Sequence, residues 1–348
     1  MDKAHTLMNP AAVALPRWRL GSARLWCAAA LIAALGLVPL ASALAGQSFY
    51  VTLVSRMMVF ALAALGLNLV LGYGAMVSFG HAMYIGVGAY AVGILSAHGI
   101  GNGWVHLAAA LAVGTLLATV IGAVCLRVTG VAFIMITLAF AQMLYFLAVS
   151  LKQYGGDDGL GLPARSDFGL GAGLDNDVVL YYVIYGLLMA TLFAFHRLVH
   201  SRFGMVLRGS KANERRMRAL GFDTPQFKLT AYVVSALVCV LAGLLLANLT
   251  RFVSPSYMQW STSGELVLMV VLGGVGTLIG PIVGAVVWLS LEELLSSFQL
   301  GLPWGLDSVV RDHWLGVLGV FVIVVTLVLK EGLYGHLVRR DEAAGAPR

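Results

Sequence analysis

Two glycine-rich stretches hold the residue types best able to handle a small polar ligand. One runs from Gly72 to His81, the other from Gly273 to Pro281, each inside an otherwise apolar run. Glycine at this density interrupts a membrane helix and frees carbonyls and amides that only a cavity or a protein neighbour can satisfy. Asn68, Gly72, Tyr73, Ser78, Gly80 and His81 are therefore candidates to line a path through the interior, as are Gly273, Gly274, Gly276, Thr277, Gly280 and Pro281. The competing reading is plainer: glycines permit close helix packing, which suits Gly86, Gly88, Gly93 and Gly284 equally well, while His81, Asn68 and Asn248 bridge helices by hydrogen bonds.

Other chemistries find little support. Arg56, Glu265, Glu292 and Glu293 sit near the expected outer ends of apolar runs, and His81 lies near the start of one. Proton-coupled carriers use acidic or histidine relays at depth, so proton coupling is disfavoured. Sodium coupling, which can use backbone carbonyls and hydroxyls, stays open. The chain contains no Gly-Lys pair and hence no phosphate-binding loop of the Walker type. Cys27, Cys125 and Cys239 show no paired or metal-ligand spacing and read as small packing residues. Neither a catalytic centre, a cofactor, a metal nor a nucleic-acid partner is indicated. Any transport here must draw its energy from a partner.

The elements that position these residues are membrane helices. The chain is 60% hydrophobic and 11% charged, where soluble chains average roughly 25% charged. Asp, Glu, Lys and Arg are absent from 25–55, 57–126, 128–151, 178–196, 229–250 and 266–291. A spanning helix needs about 20 such residues.

One polar segment orders the rest. Arg197 to Lys228 carries eight basic residues against Glu214 and Asp223, which accounts for the whole net charge of +6. A short loop this basic between two spans belongs in the cytoplasm. Lys211 to Leu220 is rich in helix formers, and Gly221 suits the left-handed position that closes a helix. The spacing predicts a short helix bounded by Gly204 and Gly221, outside the membrane.

In chain order, residues 1–24 are basic and read as a cytoplasmic segment. The first span is expected at 25–45; its small residues at Ala43 and Ala45 resemble a signal-cleavage site, but its apolar run exceeds the roughly 7–15 residues usual for a signal. Further spans are expected at 51–71, 83–97, 104–126, 131–151, 178–196 and 229–249. The loop 152–177, with five aspartates, belongs outside. Residues 263–296 exceed one crossing but fall short of two full ones, and read as two short helices meeting at the second glycine stretch. A last span at 314–329 then leaves the basic tail 336–348 inside, as the charge rule asks. The expected fold is all-α, a polytopic domain over 25–335 with about ten spans and both termini cytoplasmic, about eight or nine being the alternatives.

Several blocks carry a resemblance. Gly66 to Tyr73, Ser78 to His81 and Gly86 to Tyr90, then Phe203, Gly204, Leu207, Arg208, Asn213, Glu214 and Ala219 to Gly221, then Met269 to Ala285, resemble the permeases of branched-chain amino acid ABC importers, the LivM-type subunit, in family order and spacing. Two departures stand out: Arg215, Arg216 and Arg218 make the loop more basic than the family's, and Ala75 and Met76 replace a common Gly-Gln pair. The resemblance implies a type II importer fold in a bacterial inner membrane. It also implies a second and usually different permease subunit, two ATPase subunits below, and a periplasmic binding protein that delivers substrate. It makes Gly204, Leu207, Arg208, Asn213, Glu214, Ala219 and Gly221 part of the loop that docks into the ATPase. The glycine stretches would then meet the charged ends of an amino acid, helix N-termini favouring its carboxylate. Permeases for urea, short amides and sugars share these blocks; a self-sufficient carrier, a channel or a scaffold are the other classes.

Overall fold

The computed structural model describes residues 23–46, 49–169, 174–297, 313–328 and 332–336. Residues 1–22 of the expected cytoplasmic segment 1–24, residues 298–312, and residues 337–348 of the expected tail 336–348 lie outside them.

The chain is mostly helical: α1 (Ala23–Ala45), α2 (Phe49–Asn68), α3 (His81–Ala97), α4 (Gly103–Cys125), α5 (Val131–Ser150), α6 (Asp177–Val199), α7 (Arg202–Ala219), α8 (Thr224–Thr250), α9 (Trp260–Gly273), α10 (Gly280–Ser296) and α11 (Trp314–Val328). Among the described residues, five helices are long and apolar enough to cross a membrane: α2 with its continuation to Tyr73, α4, α5, α6 and α8. Their bounds fall within a few residues of the expected ones, because uncharged runs end where the first ionisable or turn residue appears. Helices α3 and α9 are shorter.

Helices α2 and α8 form the centre. α8 packs against α2, α3 and α4, and α10 packs against α2 and α9. In hydrocarbon the drive to associate comes from close fit rather than from expelling water, so small residues mark the contacts. A Cβ on Gly88 would stand 2.0 Å from the Val240 carbonyl oxygen, and one on Gly284 1.8 Å from that of Met269. At these positions the packing reading holds. Around this centre α4, α5 and α6 turn large apolar side chains outward, among them Leu116, Met143, Phe146 and Phe193. Such a belt suits contact with lipid tails.

One end of the bundle is closed by a two-stranded antiparallel ribbon, β1 (Leu160–Gly161) with β2 (Phe252–Val253). It ties the aspartate-bearing loop to the α8–α9 connection. Arg165, in the same loop, donates to the carbonyls of Asn248 (2.9 Å), Leu174 (2.8 Å) and Asp175 (3.1 Å) and to the Asp177 carboxylate (2.6 Å). The Asn248 side chain accepts from the Ser166 amide, and buried His106 bonds Ser166 and the Ile100 carbonyl. The opposite end carries α7 and both glycine stretches.

Candidate functional site

The first glycine stretch begins where α2 changes form. Residues Leu69–Tyr73 make a π-helical turn, a rare widening often found at functional sites. Residues 74–80 are not helical, so the expected interruption exists, and α3 starts only at His81. Three of the backbone amides at its end are taken up inside the chain. The Phe79 amide donates to Thr137 Oγ1 (3.2 Å), the Gly80 amide to Ser78 Oγ (3.2 Å) and the Ala82 amide to Ser263 Oγ (3.1 Å). A Cβ on Gly80 would stand 2.8 Å from the Thr137 carbonyl oxygen, so Gly80 abuts α5.

His81 is fully enclosed. Ser235 Oγ donates to the Gly66 carbonyl (2.6 Å), so toward the ring it accepts, and His81 Nε2 carries the proton in their 2.9 Å contact. Nδ1 then accepts from Ser78 Oγ (2.9 Å). The imidazole joins the non-helical stretch to α8. Edge-on contacts with Tyr84 and Tyr232 complete its surroundings.

The second stretch forms the turn between α9 and α10. Gly273 and Gly280 approach until a Cβ on Gly273 would stand 1.8 Å from the Gly280 carbonyl oxygen. Gly276 takes φ +79°, a conformation that side chains resist. Thr277 Oγ1 donates to the Gly274 carbonyl (2.8 Å) and accepts from the Gly280 amide (3.1 Å), closing the start of α10, with Pro281 in its first turn.

Asn68 joins the two stretches. Its Nδ2 donates to the Thr277 carbonyl (2.7 Å) and its Oδ1 accepts from the Gly276 amide (2.9 Å). Gly72 fits against Gly276 so closely that a Cβ would lie 2.6 Å from the Gly276 nitrogen. Tyr73 is buried beside them. Asn68, Gly72, Gly276 and Thr277 thus form one unit.

α7 rests on that unit. Lys211 Nζ donates to the Gly72 carbonyl at 2.7 Å. Sequence reasoning counted Lys211 only as charge, because its partner lies 139 residues away. Ser235, Thr137 and Ser263 were likewise missed; the available signal was that hydroxyls within uncharged helices need partners.

The helix itself starts at Arg202, earlier than expected, with Gly204 inside it. A Cβ on Gly204 would stand 2.2 Å from the Val199 carbonyl oxygen, so α7 leaves α6 in tight contact. Arg208 donates to the carbonyls of Gly204 (3.3 Å) and Val199 (3.2 Å), capping the end of α6, and Leu207 is buried beneath. At Asn213 the backbone leaves helical geometry (φ −159°, ψ 98°), and its side chain accepts from the Arg216 amide (3.0 Å). Asn213 therefore caps a second, short helical segment. That segment ends at Ala219. Gly221, at φ +89°, closes it with Gly221 N to Arg218 O (2.9 Å) and Phe222 N to Met217 O (3.2 Å), the paired bonds of a Schellman end.

Glu214 is held from three sides, by Lys228 (2.6 Å), Thr224 (3.2 Å) and Arg218. Burial opposes its ionisation, but the hydrogen bonds from Lys228 and Arg218, the Lys228 charge and the Thr224 hydroxyl outweigh that and hold the carboxyl below its usual value. The residue clamps α7 to the start of α8.

A family profile described as branched-chain amino acid transport system, permease component, matches residues 49–328. The chain belongs to that family. This permease is similar to the high-affinity branched-chain amino acid transport system permease protein LivM of Salmonella typhimurium, 28% identical over 72% of this chain and 64% of the relative. It is also similar to the LivH permease protein of the same organism, 25% identical over 80% of this chain and 91% of the relative. The probable LivM permease of Methanocaldococcus jannaschii is 25% identical over 78% and 88%. The permease thus spans less than two thirds of the Salmonella LivM length. No solved structure matches it.

Proposed function

We propose that this chain is the membrane subunit of an ATP-driven importer of branched-chain amino acids, working with two ATPase subunits, a second permease subunit and a periplasmic binding protein. The observation that carries the coupling part is the Lys211 bond to Gly72, through which α7 holds both glycine turns at once. An ATPase pressing on α7 would move them together. Likeness to both a LivM and a LivH of one organism supports a partner permease of a different kind.

In this reading the domain covers 25–335 and crosses the bacterial inner membrane about ten times with cytoplasmic termini, in a type II importer fold. Helix α1 and the shorter helices α3, α9, α10 and α11 join the five counted above. Opposite directions of successive helices and the basic segment at one end support it. Gly204, Leu207, Arg208, Asn213, Glu214, Ala219 and Gly221 shape the coupling helix. The amides of Phe79, Gly80 and Gly276 and the carbonyls of Gly72, Gly274 and Thr277 have partners within the chain, so in this reading the two stretches move as a hinge that borders the path. Substrate then passes between the two permease subunits, as it does in the resembling family.

Reconstitution tests this. Vesicles holding this chain, the second permease and both ATPases, with binding protein outside and ATP inside, should import labelled leucine, and omitting the ATPases should stop uptake. Uptake without them would make the chain a self-sufficient carrier. Uptake of urea or a short amide in place of leucine would reassign the substrate.

A further inference from the structure

A cavity of about 260 Å³ opens beside α7, bounded by Gly74 to Val77, the α4–α5 turn, and the junction of α7 with α8. Its two walls differ in chemistry. Val128, Phe133 and Ile134 make one side apolar, while Lys211, Lys228 and Glu214 give the other a surplus of one positive charge. The volume lies just below the roughly 300–1,000 Å³ typical of drug-sized ligands, so it suits a metabolite the size of an amino acid.

We infer that this cavity binds a small carboxylate bearing a branched apolar group, and that its occupation slows import from the cytoplasmic side. The inference rests on the proposed function for its orientation and ligand class. Lys211 is the sensing group. Its ammonium has three donors and places one on the neutral Gly72 carbonyl. The bond to Gly72 already has a charged donor but a neutral acceptor; a carboxylate adds the full attraction of opposite charges at the same contact distance, so on entering it competes for that ammonium. The apolar wall selects a side chain and keeps out small anions. Drawing Lys211 toward the ligand loosens α7 from Gly72, and with it from Gly276 and Thr277, which Asn68 holds. The imported product, or the keto acid formed from it, thereby reports its accumulation to the coupling helix.

The test uses the complete transporter in vesicles with ATP in the lumen and leucine-loaded binding protein outside. Luminal leucine, the keto acid of leucine, or acetate is added, and both uptake and ATP hydrolysis are read. Leucine or the keto acid should lower initial uptake several-fold and remove the part of ATP hydrolysis stimulated by binding protein, while acetate should do neither. A response to leucine alone identifies the amino acid as the ligand; a response to both identifies the carboxylate and branched group as sufficient. Thr129→Glu, on the α4–α5 turn at the cavity wall, should transport at the parent rate and lose this sensitivity. If Thr129→Glu fails to assemble, Val128→Trp, which fills the apolar side, serves instead. Insensitivity of the parent complex to both luminal ligands, or equal inhibition of parent and variant, overturns the inference. If no leucine enters under any condition, the proposed substrate is wrong, and calorimetry of the solubilised complex decides the cavity by itself: heat of leucine or keto-acid binding in the parent that is lost in Thr129→Glu supports it, and no heat in the parent overturns it.

Discussion

The two ends of the bundle are fastened by different chemistry. At the ribbon end, Arg165 is only 6% exposed and its guanidinium makes bonds to three carbonyls and a carboxylate, with His106, Ser166 and Asn248 closing the same region. At the α7 end the fastening is spread over separate side chains: Lys211 on Gly72, Arg208 on the Val199 carbonyl, and Glu214, 28% exposed, on Lys228 and Thr224. Many bonds to one planar group over-determine a position, whereas one flexible lysine on one carbonyl leaves a joint that can open. The difference makes the contact of α7 with Gly72 the more easily opened of the two, as the proposed coupling requires.

The strongest break in this comparison is Arg165→Met. It leaves the Leu174, Asp175 and Asn248 carbonyls and the Asp177 carboxylate without their shared donor, a loss of about 3 kcal/mol. Heating the solubilised complex and following its elution as a single species should show earlier dissociation than in the parent, with coupling of the surviving fraction intact. A thermal profile like the parent's would mean the ribbon end is not the rigid one. Asn213→Ala is smaller. Removing the cap costs about 1 kcal/mol of local helix stability. Binding-protein-stimulated ATP hydrolysis should fall while thermal stability shifts little; equal losses in both would make Asn213 a general packing residue.

The smallest effect sharpens the comparison through pH. Glu214 has a folded value below its usual one, so its contribution is present at neutral pH and is lost as pH falls through and below the usual glutamate range. Proton uptake there releases Lys228 and Arg218 from the carboxylate. Protection of α7 amides, corrected for the intrinsic pH dependence of exchange, should fall as pH drops through that range in the parent and stay level in Glu214→Gln. Ribbon-end amides should show no such difference between parent and variant.

Much of this architecture was legible beforehand, for identifiable reasons. Helices α4 and α5 were expected at 104–126 and 131–151 and are found at Gly103–Cys125 and Val131–Ser150. A hydrocarbon environment demands uncharged runs of helical length, and that demand is written directly in composition. Gly221 was readable as a helix end because a left-handed residue after a polar helix favours glycine. The start of α7 was misjudged by a few residues. Gly204 reads as a boundary, but it is there to let α7 pass the Val199 carbonyl.

The sequence alone determined what local chemistry and the solvent dictate: apolar helices, their approximate bounds, a basic segment assigned to one side, interruptions within 72–81 and 273–281, and a family pattern. Tertiary structure decided which polar groups meet. Nothing near Lys211 in the chain names Gly72, and nothing near His81 names Ser235, 154 residues away. A hydrogen bond requires approach within about 3 Å. Sequence separation carries no information about that distance once the intervening helices fold back on one another. The glycine stretches show the consequence: their composition announced free backbone groups, and only the packed neighbours Thr137, Ser263, Asn68 and Lys211 revealed which of them, the Phe79, Ala82 and Gly276 amides and the Gly72 and Thr277 carbonyls, are held within the protein.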